Sequence, residues 1–364
     1  MSNEFMARAI QLAETPILSP HPNPRVGCVI VNDGNIVGEG FHEYAGAPHA
    51  EVNALAQAKD LAINATVYVS LEPCCFHGRT PPCANALINA GVKKVVVAML
   101  DPNPKVAGKG ILMLQQSGID VETGVLTEQA EAINKGFIQR MRLGRPWVRC
   151  KMAMSFDGRT AMKNGESQWI TGAEARDDVQ RYRAKSDAIL TGIGTVIADD
   201  PSMTIRKWPS NRQPLRVIVD TQLKSVPSQK IFHAQGNALV ATLPQSLQKK
   251  AAFPDNTQLK VFPASTTGVD LSALLRFLAE QEINEVQVES GATLAGALLE
   301  AELIDEIVVY MSMSVMGDSA RGLFSLPGLQ AMKDKIHLKT QEIRQVGEDV
   351  RFVMKPEYQE LVRE

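Results

Sequence analysis

The stretch His49-Ala50-Glu51, followed by Pro73-Cys74 and then by Cys83, decides the fold of the first part of this chain. One imidazole and two thiolates can hold Zn²⁺ tetrahedrally and leave its fourth position open to water. Glu51 falls at a predicted helix start, where its carboxylate can face the same cavity without binding the metal. The pattern predicts a catalytic zinc site with His49, Cys74 and Cys83 as ligands and Glu51 as the proton shuttle.

Two other interpretations of this stretch stay open on the residues alone. Taken singly, His49, Cys74 and Cys83 are more typical of a packed histidine and buried thiols. A structural zinc site normally has four protein ligands, and Cys75 or His77 could supply the fourth. Adjacent thiolates seldom bind one ion without strain, and a closed site would leave Glu51 without a role, so the catalytic site is favoured.

Length, composition and charge limit the classes of protein that this chain can belong to. Its 364 residues, 45% of them hydrophobic, suggest two or three domains that each bury a core. A net charge of -2 argues against the broad basic surface that nucleic-acid binding requires. An enzyme acting on a small anionic substrate is expected, without a nucleic-acid partner.

The N-terminal segment and the cysteines indicate a compartment. Glu4, Arg8 and Glu14 interrupt the apolar residues of segment 1–18, which excludes a signal-peptide core, and no later apolar run approaches membrane-spanning length. Five cysteines form an odd set, and the metal hypothesis leaves Cys28, Cys75 and Cys150 as reduced thiols. We therefore expect a cytoplasmic protein with no membrane partner and no disulfide framework.

Helical and strand patterns alternate through the first 145 residues. Two strands, Val26–Val31 and Ile36–Phe41, should form a hairpin across the turn at Asp33-Gly34. The remaining pattern predicts strands at Thr66–Leu71 and Val92–Leu100, and helices at Phe5–Leu12, Ala50–Lys59, Cys83–Ala90, Ile111–Ser117 and Ile133–Met141. This succession predicts an α/β architecture in which helices cover both faces of a sheet.

A break at Leu143–Pro146 predicts a domain boundary that separates residues 1–145 from a second α/β unit, residues 146–364. We read residues 243–258 and 329–364 as surface helix, loop and closing strand. Strands of the second unit are predicted at Trp147–Ser155, Ala188–Thr191, Leu215–Asp220, Ala238–Thr242, Leu259–Phe262, Glu285–Glu289 and Ile307–Met313, and helices near Ala173–Ala184, Leu271–Gln281 and Leu294–Ala301.

Two glycine turns follow predicted strands of the second unit, Thr191–Thr195 and Glu289–Gly296. Glycine permits close backbone approach, and the helix start after the second turn offers unpaired N–H groups to a pyrophosphate. Neither turn matches a dinucleotide fingerprint, because Ile197 stands where the third glycine would be and no Lys-Ser/Thr pair follows Gly296. On spacing alone, tight structural turns are favoured.

A resemblance extends the prediction for the first unit. The segments His21–Gly27, His49–Glu51 and Leu71–Cys83 resemble the deaminase half of the bifunctional riboflavin-biosynthesis deaminase/reductase family, whose fold is cytidine-deaminase-like. The eight-residue gap between Cys74 and Cys83 matches that family and departs from the two-residue gap common in nucleic-acid deaminases. The implied reaction is zinc-dependent hydrolytic deamination of 2,5-diamino-6-(5-phosphoribosylamino)pyrimidin-4-one, with Asn23, His42 and His77 contacting pyrimidine or ribose and Arg79 meeting the phosphate.

The second unit is similar to the reductase half of the same family, whose fold resembles dihydrofolate reductase. Ser155–Ala161, Gly165–Thr171, Thr195–Pro201 and the Gly291 turn carry this similarity. It implies reduction of the ribosyl group to ribityl by NADPH, which supplies the reactive atom, so no catalytic base is expected. The resemblance assigns the cofactor to Ala153, Trp169, Thr195, Asp199, Gly291, Ala292, Thr293, Leu294, Ala295, Gly296 and Ala297, and the substrate to Lys151, Ser167, Thr171, Arg183, Met203, Arg206 and Glu289.

Physical arguments support some of these assignments and leave alternatives for others. Arg183 and Arg206 suit phosphate clamps, because guanidinium binds phosphate oxygens in a bidentate manner. Glu289 could hold a polar substrate group or pair with a cation, and Trp169 could equally belong to the core. We expect a homo-oligomeric bifunctional enzyme. A nucleic-acid or nucleoside deaminase with an accessory domain, and a zinc-stabilised binding protein that has lost catalysis, are the alternatives.

Overall fold

Two compact units, residues 1–145 and 146–364, divide the chain. The structure is a computed structural model. It describes residues 2–16, 18, 20–76, 82–208, 212–249 and 252–358. Of the predicted site residues, His77 and Arg79 lie outside the described residues. Among the helices that the structure describes, none is long and apolar enough to cross a membrane.

The first unit is built on one five-stranded sheet. Its strands are β1 (Gly27–Asn32), β2 (Asn35–Phe41), β3 (Thr66–Val69), β4 (Lys94–Val97) and β5 (Asp120–Thr123). The order across the sheet is β2-β1-β3-β4-β5. β1 runs antiparallel to both neighbours, whereas β3, β4 and β5 are parallel, so the segments that follow β3 and β4 leave the sheet at the same edge.

The predicted hairpin of β1 and β2 is confirmed. Asp33 and Gly34 occupy its turn with φ of 47° and 78°, as a two-residue hairpin turn requires. Alternate residues of β1 then enter different cores, because neighbouring side chains of a strand point to opposite faces. Cys28 and Ile30 pack in one core, and Val29 and Val31 in the other.

Helices cover both faces of this sheet, as predicted. They are α1 (Ser2–Glu14), α2 (Ala50–Ala58), α3 (Cys83–Asn89), α4 (Lys109–Gln116), α5 (Thr127–Ile133) and α6 (Lys135–Leu143), with a 3₁₀ turn at Lys59–Ala62. Residues of α2, α3 and α4 line one core, and residues of α1 and α5 line the other. β5 and α5 were not predicted, because their sequences are mostly polar and show no clear apolar periodicity.

Glycine in β2 brings α2 close to the sheet. A Cβ atom on Gly40 would lie 2.3 Å from the Ala50 carbonyl oxygen, and one on Gly38 would lie 2.3 Å from the Ala54 carbonyl oxygen. Only glycine allows this approach, since both positions would otherwise drive a side chain into helix backbone. The first turn of α2, which carries Glu51, is thereby fixed against the sheet.

A larger, nine-stranded sheet organises the second unit, together with a small two-stranded sheet formed by β7 and β14. The strands are β6 (Trp147–Ser155), β7 (Arg159–Ala161), β8 (Ala188–Gly192), β9 (Leu215–Val219), β10 (Ala238–Thr242), β11 (Thr257–Val261), β12 (Glu285–Val288), β13 (Glu306–Ser312), β14 (Arg321–Gly322), β15 (His337–Val346) and β16 (Asp349–Glu357). The large sheet has the order β11-β10-β9-β8-β12-β6-β13-β16-β15. Its first seven strands are parallel, and β16 and β15 add an antiparallel hairpin.

Helices again occupy both faces of the large sheet. They are α7 (Ala173–Lys185), α8 (Ile193–Asp199), α9 (Lys230–His233), α10 (Leu271–Glu280) and α11 (Ala292–Glu300), with 3₁₀ turns at Pro244–Lys249 and Met332–Asp334. Residues of α10 and α11 share the main core with β6, β12 and β13. On the opposite face, α8 and α9 cover one part of the sheet and α7 covers another.

The short elements β7, α9 and β14 of the second unit were not predicted, and two other parts of the unit also differ from prediction. The first glycine turn, Thr191–Thr195, is the junction at which β8 passes directly into the short helix α8. The C-terminal region forms the long hairpin of β15 and β16, where only loop and one closing strand were expected. β15 is the edge strand and nine of its ten residues are exposed, so it lacks the apolar alternation that identifies a half-buried strand.

Candidate functional site

The three predicted zinc ligands lie together in the first unit. His49 Nδ1 is 3.1 Å from Cys83 Sγ and 3.6 Å from Cys74 Sγ, and the three donor atoms all lie within 4.8 Å of one another. Donors around a tetrahedral zinc ion stand roughly 3.5–4 Å apart, given Zn–S and Zn–N bonds of about 2.3 and 2.0 Å. The arrangement therefore fits zinc after only small adjustments.

Glu51 is buried beside this cluster, with 3% of its surface exposed. It lies in the first turn of α2, directly after His49 and Ala50, and its carboxylate interacts with the Cys83 thiol. Burial, and to a smaller extent the charge of Cys74, raise the pKa of Glu51 to about 6. A carboxyl group with such a pKa can both accept and release a proton near neutral pH.

Hydrogen bonds prepare Cys74 to be a thiolate. The Cys83 thiol and the His49 ring hydrogen-bond to its sulfur and lower the pKa of Cys74, against the opposing effect of burial. The Cys83 backbone N–H also donates to Cys74 Sγ over 3.3 Å. Because thiolate is the metal-binding form of cysteine, these contacts favour metal binding.

Cys75 lies outside the ligand group. Its thiol is directed at the Lys105 carbonyl oxygen, 3.9 Å away, and the described donors that cluster for a metal are His49, Cys74 and Cys83. Cys75 is therefore not placed as a fourth ligand. A structural zinc site closed by Cys75 does not fit this arrangement. The other candidate for that position, His77, lies outside the described residues.

Two predicted substrate contacts, Asn23 and His42, form a pair next to the ligands. The His42 ring packs edge-on against His49, with centroids 5.2 Å apart. Its Nδ1 lies 3.3 Å from the Pro48 carbonyl oxygen and must donate to it, so the neutral ring accepts from Asn23 Nδ2 at Nε2, over 2.9 Å. Burial lowers the pKa of His42, which favours this neutral form.

Most predicted residues of the second unit line a single cleft of about 1000 Å³ at the carboxyl edge of its parallel strands. Ligands of open α/β sheets bind at this edge. The lining includes Lys151, Ala153, Ser167, Trp169, Thr171, Arg183, Thr195, Asp199, Met203, Arg206, Glu289, Gly291, Ala292, Thr293, Leu294 and Ala297. It also contains cations that the sequence interpretation missed, Arg176, Lys230 and Arg321.

Two residues assigned to the cofactor, Ala295 and Gly296, do not line the cleft. Ala295 is fully buried in the main core. A Cβ atom on Gly296 would lie 2.0 Å from the Ser325 carbonyl oxygen, so this glycine allows α11 to pack against its own unit. The helix turns these two positions inward, whereas Gly291–Leu294 and Ala297 line the cleft, and the assignment of Ala295 and Gly296 to the cofactor stays a prediction.

Arg183 is paired with Glu289, which confirms that Glu289 has a cationic partner. Two nitrogens of the Arg183 guanidinium donate to the two Glu289 carboxylate oxygens, each over 2.8 Å, and Nη1 donates to the Thr204 carbonyl oxygen over 2.9 Å. Burial alone would raise the pKa of Glu289, but Arg183 outweighs it and lowers that pKa to about 2. The bidentate face of Arg183 is therefore occupied by Glu289, unlike that of a free phosphate clamp.

Other cleft residues differ in how firmly their side chains are held. Lys151 is largely buried near Glu289, and burial lowers its pKa while the Glu289 charge opposes that shift. Arg206 is exposed at the cleft, with its guanidinium accessible. Trp169 is 70% exposed beneath the Arg176 guanidinium, 4.6 Å from the ring centre, so it does not belong to the core.

Two family descriptions match the chain. The RibD C-terminal domain covers residues 146–352, and the cytidine and deoxycytidylate deaminase zinc-binding region covers residues 1–99. The riboflavin biosynthesis protein RibD of Escherichia coli is 49% identical over 95% of this chain and 97% of that protein. Its namesake in Haemophilus influenzae is 49% identical over 97% of this chain and 96% of that protein.

Solved structures agree with these matches over the whole chain. Acinetobacter baumannii RibD has a TM-score of 0.90 at 43% identity and covers 98% of this chain and 99% of its own. A deaminase/reductase from Thermotoga maritima has a TM-score of 0.88 at 33% identity, covering 98% of both chains. The predicted fold class, a cytidine-deaminase-like unit followed by a dihydrofolate-reductase-like unit, is confirmed.

Proposed function

Because this chain belongs to the RibD family of riboflavin biosynthesis proteins, we propose that its first unit deaminates 2,5-diamino-6-(5-phosphoribosylamino)pyrimidin-4-one and its second unit reduces the ribosyl group of the product to ribityl. The Thermotoga relative is named as a deaminase of the diaminohydroxy-phosphoribosylaminopyrimidine and a reductase of 5-amino-6-(5-phosphoribosylamino)uracil. The donor cluster of His49, Cys74 and Cys83 beside buried Glu51 carries the proposal.

In the first unit, His49, Cys74 and Cys83 would hold zinc, whose charge would allow water to ionise near neutral pH. Glu51 takes a proton from the attacking water and delivers it to the departing amine. Its burial supports this role, because desolvation raises the pKa of the carboxyl into the range where it can both take and release a proton. The glycine contact at Gly40 holds the helix that carries Glu51 and so fixes its distance from the donor cluster.

The pyrimidine lies against the pair formed by Asn23 and His42. Neutral His42 directs the Asn23 amide, because its Nε2 accepts one amide hydrogen and leaves the amide oxygen to the substrate. His77 and Arg79 stay predictions from the resemblance, with Arg79 meeting the substrate phosphate.

In the second unit, NADPH supplies the hydride, and the protein binds and orients both reactants. The Gly291 turn at the start of α11 would offer backbone N–H groups to the pyrophosphate, and the cleft residues Ala153, Trp169, Thr195 and Asp199 would hold the remainder of the cofactor. Arg206 meets the substrate phosphate. Lys151 and Glu289 face the ribosyl hydroxyls. Arg183 keeps the Glu289 carboxylate ionised. The remaining predicted substrate residues of the cleft are Ser167, Thr171 and Met203.

We place the protein in the cytoplasm, since its five cysteines are free thiols. A homo-oligomer stays a prediction that light scattering would test. Two rival functions have less support. A nucleic-acid deaminase would require the basic surface that a net charge of -2 makes improbable, and a zinc-stabilised binding protein would have no use for a carboxylate buried beside the metal donors.

A coupled assay tests the proposal on the full chain. The phosphoribosylamino-pyrimidine is added first without NADPH, and ammonia is measured. NADPH is then added, and the fall in its absorbance is followed. We expect both signals from one polypeptide and one zinc ion per chain by elemental analysis. Absence of ammonia release by zinc-loaded protein would refute the deaminase assignment, and a steady NADPH absorbance after deamination would refute the reductase assignment.

A further inference from the structure

The segment Met203–Arg206 borders the cleft of the second unit and lies outside its helices and strands. Met203 and Ile205 are buried, with 5% and 6% of their surface exposed, whereas the side chain of Arg206 is exposed at the cleft. Because the segment takes part in no strand ladder or helix, its backbone polar groups need other partners. The position of the Arg206 guanidinium therefore depends on what holds the backbone that carries it.

Two side chains from outside the segment hold the backbone of the residues before Arg206. Gln213 contacts both polar groups of Ile205, because its Oε1 accepts the N–H over 2.8 Å and its Nε2 donates to the carbonyl oxygen over 3.2 Å. Arg183 Nη1 donates to the Thr204 carbonyl oxygen over 2.9 Å. The segment is therefore fixed by side chains up to the residue that precedes Arg206.

Gln180 is the side chain that holds Arg206 itself. Its Oε1 accepts the backbone N–H of Arg206 over 2.9 Å, and Gln180 is buried, with 6% of its surface exposed. Gln180 lies three residues before Arg183 on α7, so the two are neighbours on the helix surface. Arg183 in turn donates to both carboxylate oxygens of Glu289. Neighbouring residues of α7 therefore connect the backbone of Arg206 with Glu289.

The Arg206 guanidinium is available for an anion. Among the described residues, no acidic side chain pairs with it, whereas Arg183 is paired with Glu289. A guanidinium binds phosphate through two directed hydrogen bonds, so the contact depends on where the group stands. An exposed arginine side chain has many rotamers, and a fixed backbone narrows the range that its guanidinium samples. A shift of the Arg206 backbone should therefore weaken the binding of a phosphate.

We propose that Gln180 is a positioning residue for phosphate recognition: its hydrogen bond to the Arg206 backbone places the guanidinium that binds the phosphate of the ribosyl substrate. The inference deepens the proposed reductase function and rests on it. The contribution of Gln180 should appear only when both the Arg206 guanidinium and the substrate phosphate are present. A residue that supports only the fold would affect substrates with and without the phosphate alike.

The test uses Gln180→Met in the full chain, because Met keeps the length of the side chain and removes the accepting oxygen. The substrate is 5-amino-6-(5-phosphoribosylamino)uracil, and a second sample of it is freed of phosphate by a phosphatase. The fall in NADPH absorbance gives kcat and KM. With the phosphorylated substrate, KM should rise about 3- to 10-fold, as for one lost hydrogen bond, and kcat should stay within about twofold. With the phosphate-free substrate, kcat/KM should stay within about twofold of the wild-type value.

A double variant shows whether Gln180 acts through Arg206. Arg206→Met should lower kcat/KM for the phosphorylated substrate by about 10- to 100-fold, because charged hydrogen bonds are lost. Adding Gln180→Met should then change kcat/KM by less than about twofold. Gln213→Met releases the same segment at Ile205 and should repeat the phosphate-dependent loss, so the inference can be tested even if Gln180→Met folds poorly.

Gln229→Met is the matched control. Gln229 Oε1 also accepts a backbone N–H, that of Val226 over 3.1 Å, but the described residues that line the cleft do not include Gln229. The KM of this variant for the phosphorylated substrate should equal that of the wild type. NADPH affinity, measured by quenching of tryptophan fluorescence, should be unchanged in Gln180→Met.

Three results would overturn the inference. Equal losses with and without the phosphate would show that Gln180 supports only the fold, and an unchanged KM would show that it has no role in recognition. A multiplied loss in the double variant would show that Gln180 acts independently of Arg206. Wild-type protein that oxidises no NADPH with the phosphorylated substrate would instead refute the proposed reductase function, before any variant is compared.

Discussion

The two candidate sites differ in how closely their functional groups are placed. In the first unit, three metal donors lie within 4.8 Å of one another and a fourth functional group, Glu51, is buried beside them. In the second unit, functional side chains are spread around a cleft of about 1000 Å³. A metal site concentrates its chemistry in a few atoms, whereas a cofactor site distributes binding over many contacts. Single substitutions should therefore differ in effect between the units.

The largest effect is expected for Glu51→Gln. Gln has almost the same shape but cannot take a proton, so kcat for ammonia release should fall by roughly 10²- to 10⁴-fold. The measurement is ammonia release together with zinc content. One zinc ion per chain and full NADPH-dependent reduction of the deaminated substrate serve as controls. Normal ammonia release by this variant would show that deamination does not depend on Glu51. The first site would then not be more sensitive to a single substitution than the second.

The buried ion pair of the second unit should give the next largest effect, on stability. Arg183→Met removes the bidentate cationic partner of buried Glu289 and leaves it the Gln287 amide and the nearby Lys151 charge, which should cost up to about 3–5 kcal/mol. All three tryptophans, Trp147, Trp169 and Trp208, lie in this unit, so tryptophan fluorescence during urea unfolding reports on it alone. The matched control is Lys207→Met, which breaks an exposed pair with Asp177 and should cost less than about 1 kcal/mol.

The same ion pair has a defined dependence on pH. Because the pKa of Glu289 is lowered to about 2 in the folded unit, the pair stabilises the fold above the ordinary carboxyl pKa of the unfolded chain. That contribution is lost as the pH falls toward 2. In Arg183→Met, burial raises the pKa of Glu289 and that loss disappears, so the difference in stability between the two proteins should shrink as the pH falls and Glu289 is protonated. Parallel stability curves of the two proteins between pH 6 and pH 3 would contradict this account of Glu289.

A smaller effect is expected for Gly40→Ala. The added Cβ would meet the Ala50 carbonyl oxygen at 2.3 Å, so α2 must shift, at a cost of about 1–3 kcal/mol. The half-life of deaminase activity on heating should shorten while that of reductase activity does not. Equal shortening of both half-lives would show that the strain is not confined to the first unit.

The smallest effect should come from Trp169→Ala. Trp169 is 70% exposed and stacks on Arg176, so unfolding stability should change by less than about 1 kcal/mol. If Trp169 contacts the cofactor, KM for NADPH should rise several-fold while KM for the pyrimidine substrate stays the same. A stability loss as large as that of Arg183→Met would place Trp169 in the framework of the unit and not in its binding surface.

The sequence predicted the first site better than the second, for a physical reason. His49, Glu51, Cys74 and Cys83 are chemically unusual residues in short motifs, so their spacing carries the signal. The pairing of Arg183 with Glu289 joins residues 106 positions apart, and local patterns do not specify such a contact. The sequence suggested that Glu289 pairs with a cation, but it did not identify Arg183 as that cation.

Local patterns also missed residues whose role depends on backbone contacts. Glu72 stands beside proline, where acidic residues are typical of turns, and only the fold shows four N–H groups converging on Glu72. Ala295 and Gly296 were assigned to the cofactor together with their neighbours in the motif, although a helix presents only some positions to one side and these two do not line the cleft.

The exposed edge strand β15 has a consequence for solubility. Its free backbone groups could recruit a strand from another molecule and start aggregation. Lys339, Glu342 and Arg344 lie along this strand, and charged side chains on an edge oppose such recruitment, because docking would strip them of water. Replacing these three residues with β-branched ones should promote intermolecular strand pairing at β15 and leave the residues of both candidate sites unchanged.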